Sequence, residues 1–282
     1  MKRRDFLALG VVAAAAQPRL AHASAQPRVV CVGGAITECM YALGMERMIV
    51  GADTTSLYPP VAQRLPSVGY SRSLSAEGLL SLAPDLILAS DEAGPPAVVA
   101  QVKGSGIRWM TLPAAHTPDA PAEKLRAIGT AIGQSERAAA RIRQYEAEWR
   151  RTATWVASLP TRPRAVFVMA HDGPTLNLAG RGTAANAMLA LAACDNALDF
   201  QSYKTISAEA LSAAAPEVVV TTQQSVEGLG GLDALLSRPG LANTPAAKAR
   251  RVVAFDGLFL LGFGPRLPQA VVQLAQRIRS GA

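Results

Sequence analysis

Histidine and cysteine are scarce in this chain, three of each among 282 residues. Three cysteines allow one disulfide at most. Cys31 and Cys39 are the local candidates, and the favoured reading is three small buried hydrophobes. There is no C-x-x-C pair, no H-E-x-x-H helix and no G-x-S-x-G elbow. With His22 near the N-terminus, two histidines are left for the rest of the chain, too few for a multi-histidine zinc or manganese site. Aromatics are 5% of the residues, and no basic stretch is interleaved with them, so nothing argues for nucleic acid as a partner. Charge is also sparse, at 17% against 50% apolar residues, so the chain can fill substantial cores.

The first 23 residues read as an export signal. Lys2-Arg3-Arg4 supplies a twin arginine, an apolar region follows to about Ala16, and Ala21-His22-Ala23 is a small-x-small cleavage site competing with Ala23-Ser24-Ala25. The apolar region is too short for a permanent membrane span, and no downstream run reaches spanning length. The expectation is an exported protein of the periplasm, cut near Ala23 or Ala25 and not embedded in a membrane. Removing residues 1–23 takes away four basic residues and one acidic residue, so the net charge falls from +7 to +4.

Residues 64–90, RLPSVGYSRSLSAEGLLSLAPDLILAS, organise the rest. A capped helix beginning near Ser75 is stopped at Ala83-Pro84-Asp85, and an apolar strand follows. Residues 74–88 lie without a gap on residues 206–220, at a constant offset of 132, with six of fifteen positions identical, among them Glu77/Glu209 and Pro84/Pro216. Short apolar runs near residues 28–32, 48–52, 107–112, 164–170, 218–222 and 251–255 alternate with helical stretches. That pattern predicts an α/β protein of two lobes with mainly parallel central sheets covered by helices on both faces. Thr37 is a candidate cap for a helix through Leu43, and residues 177–182 read as a loop leading into a helix started by Thr183. From Ser135 the positions Ala138, Ala139, Ile142, Tyr145, Trp149, Thr152 and Val156 recur at helical spacing, predicting a rod of roughly 36 Å between the lobes. The expected division is a leader (1–23), a first lobe (27–125), a connecting helix (126–159) and a second lobe (160–282).

Gly180-Arg181-Gly182-Thr183-Ala184-Ala185 fits a G-x-G-x-x-A pattern but lacks a strong strand before it, so a plain loop-to-helix turn is the better reading. His171 is placed at a strand's carboxyl end, where open α/β sheets bind ligands, or is a surface or capping histidine; the residues leave both open. A hydrolase using His171 and Asp172 is an alternative with no recognisable nucleophile nearby. Tyr70 sits in a loop after Val68-Gly69, flanked by Ser71 and Arg72, with no periodicity that makes it a core residue. Nearby positive charge favours its ionised form, and phenolate is a hard donor suited to ferric iron and a known axial ligand of haem.

On these residues the chain resembles the haem-binding proteins of bacterial haem-uptake ABC transporters, within the cluster of class III periplasmic binding proteins that also holds cobalamin and ferric-siderophore binders. The matching segments are residues 35–52, 58–90, 180–196 and 257–270, and VGYSRSLSAEGLLSLAPDL is the most specific. The resemblance implies one or two haems carried as cargo, Tyr70 as the iron ligand and Arg72 as its hydrogen-bonding partner. It places His171 as a ligand to a second haem and Tyr203 and Lys204 in the second lobe's version of the ligand loop, with Lys204 and Arg181 near haem propionates. It also implies that Glu77 and Glu209 dock to arginines of a permease dimer, which works with its ATPase. Carriage without catalysis is the expected function. A cobalamin or ferric-siderophore carrier is the alternative.

Overall fold

The computed structural model describes residues 26–170 and 176–280. The leader with its cleavage sites, His171 and Asp172 lie outside the described residues. The strands of the first half are β1 (Val29–Val32), β2 (Ile49–Ala52), β3 (Gly69–Tyr70), β4 (Ser73–Leu74), β5 (Leu86–Ser90) and β6 (Arg108–Leu112). Four of them form a sheet in the order β2-β1-β5-β6 with every pair parallel. The strand β1, VVCV, is buried at every position, which is why it reads as an unbroken apolar run and not as an alternation. The remaining pair, β3 and β4, is a small antiparallel hairpin set apart from the sheet.

The second half contributes β7 (Arg164–Met169), β8 (Asn177–Ala179), β9 (Asp195–Asn196), β10 (Tyr203–Lys204), β11 (Val218–Thr222) and β12 (Val252–Phe255). Their sheet runs β10-β8-β7-β11-β12, with β9 alongside β7. The centre is parallel, whereas β8 is antiparallel to both β7 and β10. This corrects the expected loop at residues 177–182. Asn177–Ala179 has no β-branched run to announce it and becomes a strand through pairing on both sides.

The internal repeat is a repeat of structure. The strands β5 and β11 begin and end 132 residues apart, and helices Ala76–Ser81 and Ala208–Ala214 precede them. Ser75 and Ser207 cap these helices by accepting from the amides of Gly78 and Ala210. Each unit then passes through an alanine with left-handed backbone, Ala83 at φ 42° and Ala215 at φ 45°, before its proline. An arginine at the foot of the neighbouring strand closes each helix. Arg28 donates to the carbonyls of Leu82 and Ala83, and Arg164 to that of Ala214.

Thr37 does not cap its helix. Helix Gly34–Ala42 starts one turn earlier, because side chains of a neighbouring loop satisfy its first amides. Gly33 N donates to Asp53 Oδ1 at 2.9 Å and Gly34 N to Thr55 Oγ1 at 2.8 Å. Thr37 is buried, its hydroxyl 2.7 Å from that of Ser56.

The rod from Ser135 forms as expected: helix Ser135–Ala157 runs 23 residues and buries Ala138, Ile142, Tyr145 and Thr152. The span 126–159 is nevertheless two helices, since Ala120–Ala131 ends at Ile132 and the chain turns before Ser135. One buried apolar cluster runs from β1 and β5 through these helices to β7, β11 and the closing helix Leu267–Ser280, so the lobes share a core. Cys31, Cys39 and Cys194 are buried and unpaired. Burial pushes the Cys31 thiol up to about 12, so all three serve as small hydrophobes. Among the described residues no helix is long and apolar enough to cross a membrane.

Candidate functional site

The site is built on the β3–β4 hairpin. Gly69 sits at φ 88°, a conformation other residues adopt only with strain, and this turns the chain so that Tyr70 pairs with Ser73 at the tip. The hairpin is braced from two sides. Thr54 N donates to Gly69 O at 3.0 Å, and Gly94 exchanges bonds with Ser71 O and Leu74 N, both at 2.9 Å. Tyr70 is 48% exposed, one of the few large hydrophobics on the surface. A rigid ledge thus presents an uncovered phenol.

The phenol lines a cavity of about 470 Å³ between the lobes, a volume in the range of small-molecule sites. The first lobe supplies Ile36, Leu112, Arg72, Glu92, His116 and Lys124 to the wall, and the second supplies Met169, Gln224, Leu258 and Leu261. The lobes meet closely at Gly34. A Cβ there would lie 2.3 Å from Thr55 O and 2.7 Å from a Leu258 methyl, so only glycine fits.

Charge in the cavity is one ion pair, with one lysine as the exception. Arg72 Nη2 lies 2.8 Å from Glu92 Oε2, both side chains about half exposed, and the carboxylate pushes the guanidinium's pKa further up. Arg72 lines the same cavity as Tyr70, and its side-chain contact in this structure is Glu92. His116 is half-buried against the Phe263 ring of the second lobe, centroids 5.3 Å apart, and burial holds its pKa below the usual value. Lys124 is the exception. It is 6% exposed, and among the described residues its Nζ reaches only the Phe263 carbonyl oxygen, at 3.5 Å. Below the cavity the lobes are joined by Glu38 and Arg266, with Nη2 to Oε2 at 2.8 Å. Arg266 N donates to Oε1 at 3.1 Å, and the guanidinium stacks 3.5 Å from the centre of the Tyr58 ring.

Of the residues singled out in the sequence, Tyr70 and Arg72 are brought together in this cavity. Arg181, Tyr203 and Lys204 are not in its wall. Arg181 is paired with Asp199 at 2.7 Å, and Lys204 lies over the Phe200 ring. Burial raises the pKa of the Tyr203 phenol. Glu77 and Glu209 are exposed in the first turns of the two matched helices. Glu92, His116 and Lys124 were missed. Each is far in sequence from Tyr70, and nothing local marks any of them. Lys124 lies in a helix whose polar residues read as a solvated face.

Two α/β lobes share a core, with a lined cavity between them and a donor held on a fixed ledge, the architecture of a two-lobed binding protein. The chain belongs to the periplasmic binding protein family, whose sequence model matches residues 29–257. Among solved structures it is similar to the periplasmic heme-binding protein BhuT in complex with two hemes. That match is 45% identical, with a TM-score of 0.87, covering 90% of this chain and 98% of that one. It is also similar to the apo form of the heme-binding protein RhuT from Roseiflexus sp. RS-1, at 37% identity, a TM-score of 0.88 and 91% and 99% coverage. Among curated proteins, an uncharacterized ABC transporter substrate-binding lipoprotein of Bacillus subtilis, YvrC, is 27% identical over 86% of this chain and 76% of its own length. A cobalamin-binding protein of Halobacterium salinarum is 30% identical over 88% of this chain and 68% of its own.

Proposed function

We propose that this protein is exported to the periplasm, after loss of residues 1–23, and carries ferric haem to an inner-membrane ABC permease without catalytic turnover. The observation that carries the reading is Tyr70, an exposed phenol on a braced hairpin facing an apolar-walled cavity of about 470 Å³. Core tyrosines are covered and hydrogen-bonded. A phenol held open toward a ligand space is a hard oxygen donor that suits a ferric centre. The apolar residues Ile36, Leu112, Leu258 and Leu261 suit the faces of a flat macrocycle. The similarity to BhuT and RhuT supports the same ligand. Arg72 supports the phenolate, and Arg181, Tyr203 and Lys204 form the outer rim on the second lobe. His171 is the residue proposed to meet a second haem. Residues 27–125 and 160–282 act as the two jaws, and Glu77 and Glu209 are the contacts for the permease dimer.

Titration of the apoprotein with haemin, followed at the Soret band, tests the reading, and a tyrosinate–ferric spectrum is the expected result. The relative from Halobacterium salinarum supports a second reading, cobalamin carriage. Saturable binding of cyanocobalamin with no Soret change on adding haemin would replace the first reading with the second.

A further inference from the structure

The buried cation at the inner end of the cavity has no adequate partner among the described residues. Lys124 projects from helix Ala120–Ala131, is 6% exposed and lines the cavity. Its ammonium group has three N–H donors. Among the described residues the one acceptor within hydrogen-bond reach is Phe263 O, at the 3.5 Å limit, and no carboxylate lies within ion-pair distance. A buried charge left so poorly matched destabilises the empty protein, and proteins ordinarily neutralise such a group or pair it. His116 stands at the same end of the cavity, its ring tilted against that of the same Phe263, and has a ring N–H to offer. The acidic groups around the two, Asp91, Glu92 and Glu123, act on them only at longer range, and Glu92 is already engaged by Arg72.

We propose that Lys124 and His116 form a carboxylate subsite at the inner end of the cavity, so that the ligand enters acid-first and buries an anionic substituent there. The inference rests on the haem reading and names the group on that ligand, a propionate, that meets Lys124. It moves propionate recognition from the rim, where Arg181 is paired with Asp199 and Lys204 lies over Phe200, to the junction of the lobes. The hydrogen bond from Lys124 to the Phe263 carbonyl crosses that junction. Capture of a carboxylate by Lys124 therefore sits where the two lobes touch.

The experiment compares haemin with haemin dimethyl ester, whose propionates carry no charge, on wild-type protein and on Lys124→Met, by Soret titration. Wild type is expected to bind the diacid at least tenfold more tightly than the diester. Lys124→Met is expected to lose that preference, with its affinity for the diester unchanged. The melting temperature of the empty Lys124→Met protein is expected to equal or exceed that of wild type, because an unmatched buried charge has been removed. A wild type that binds both haemins equally would overturn the subsite, and so would a variant that keeps the preference. Should Lys124→Met fail to fold, Lys124→Gln, which retains a donor toward Phe263, gives the same comparison. No Soret change with either haemin on wild type would instead overturn the haem reading itself.

Discussion

Glu38 of the first lobe and Arg266 of the second are joined by two contacts to the same carboxylate, one from the Arg266 side chain at 2.8 Å and one from its backbone amide at 3.1 Å. Glu38 is 5% and Arg266 18% exposed at the side chain, so this is a buried pair. Removing one partner leaves the other charge uncompensated, which costs about 3–5 kcal/mol. Glu38→Ala is therefore expected to lower the unfolding free energy by about that amount in urea titrations. The double variant Glu38→Met/Arg266→Met is expected to recover much of it, because no stranded charge remains. An unchanged urea midpoint in Glu38→Ala would mean that the pair contributes nothing to holding the lobes.

Tyr70→Phe removes one oxygen from a side chain that is half exposed. Its expected effect on stability is within about 0.5 kcal/mol, as for other surface changes, whereas the tyrosinate–ferric absorption is expected to vanish. Retention of that spectrum would take the iron away from Tyr70. Arg72→Ala is expected to weaken haem binding less, since it removes a supporting charge and leaves the phenol in place.

The pH dependence of the empty protein is set partly by two depressed groups. The imidazole of His116 is held below 6.5 chiefly by burial and, further, by Lys124, against the opposing pull of Glu92 and Asp91. The unfolded chain takes up that proton first as pH falls, so stability contributed by neutral His116 is complete above about pH 6.5 and is lost as pH drops toward the lower folded value. Lys124 is likewise depressed by burial, so stability rises with pH from its folded value up to about pH 10.5. The difference in melting temperature between wild type and His116→Phe should appear on the acid side, and that for Lys124→Met on the alkaline side. Parallel curves for wild type and both variants across the range would refute the assignment.

Glu77 and Glu209 occupy matching, exposed first-turn positions. At Glu209 its own backbone amide and the Ser207 hydroxyl hold the carboxyl pKa down. If capping were the whole role, charge reversal would affect the melting temperature and spare docking. We expect the opposite of Glu77→Lys and Glu209→Lys: haem affinity and melting temperature near wild type, with haem transport by the reconstituted permease lost. Normal permease binding by the double variant would leave capping as the only role.

Haem stoichiometry bears on His171. Saturation of wild type at two haems and of His171→Ala at one is the expected pair of results. Equal saturation at one haem would make His171 a bystander.

Much of this arrangement was legible in the sequence. The offset of 132 residues locates both helix–turn–strand units, and the apolar runs locate the central strands. The Ser135 periodicity gives the long helix, and the Val68-Gly69-Tyr70 loop gives the exposed phenol. What was not legible depends on contacts between distant segments. Alanine carries no sign that positions 83 and 215 adopt left-handed backbone. Thr37 looks like a cap because the competing acceptors, Asp53 and Thr55, belong to another loop. Asn177–Ala179 becomes a strand only when β7 and β10 flank it. Lys124 resembles any helical surface lysine until the second lobe closes over it.

The pairing of Arg72 with Glu92 has a consequence for selectivity. A carboxylate tethered 2.8 Å from the guanidinium acts as an internal competitor, present at the high effective concentration of any linked group. Chloride, phosphate or a free organic acid must displace it with nothing but its own charge. A guest that also bonds to Tyr70 and covers the apolar walls brings enough affinity to win that exchange. The empty carrier thus stays discriminating amid abundant small anions, because its most accessible cation in the cleft is already answered from within.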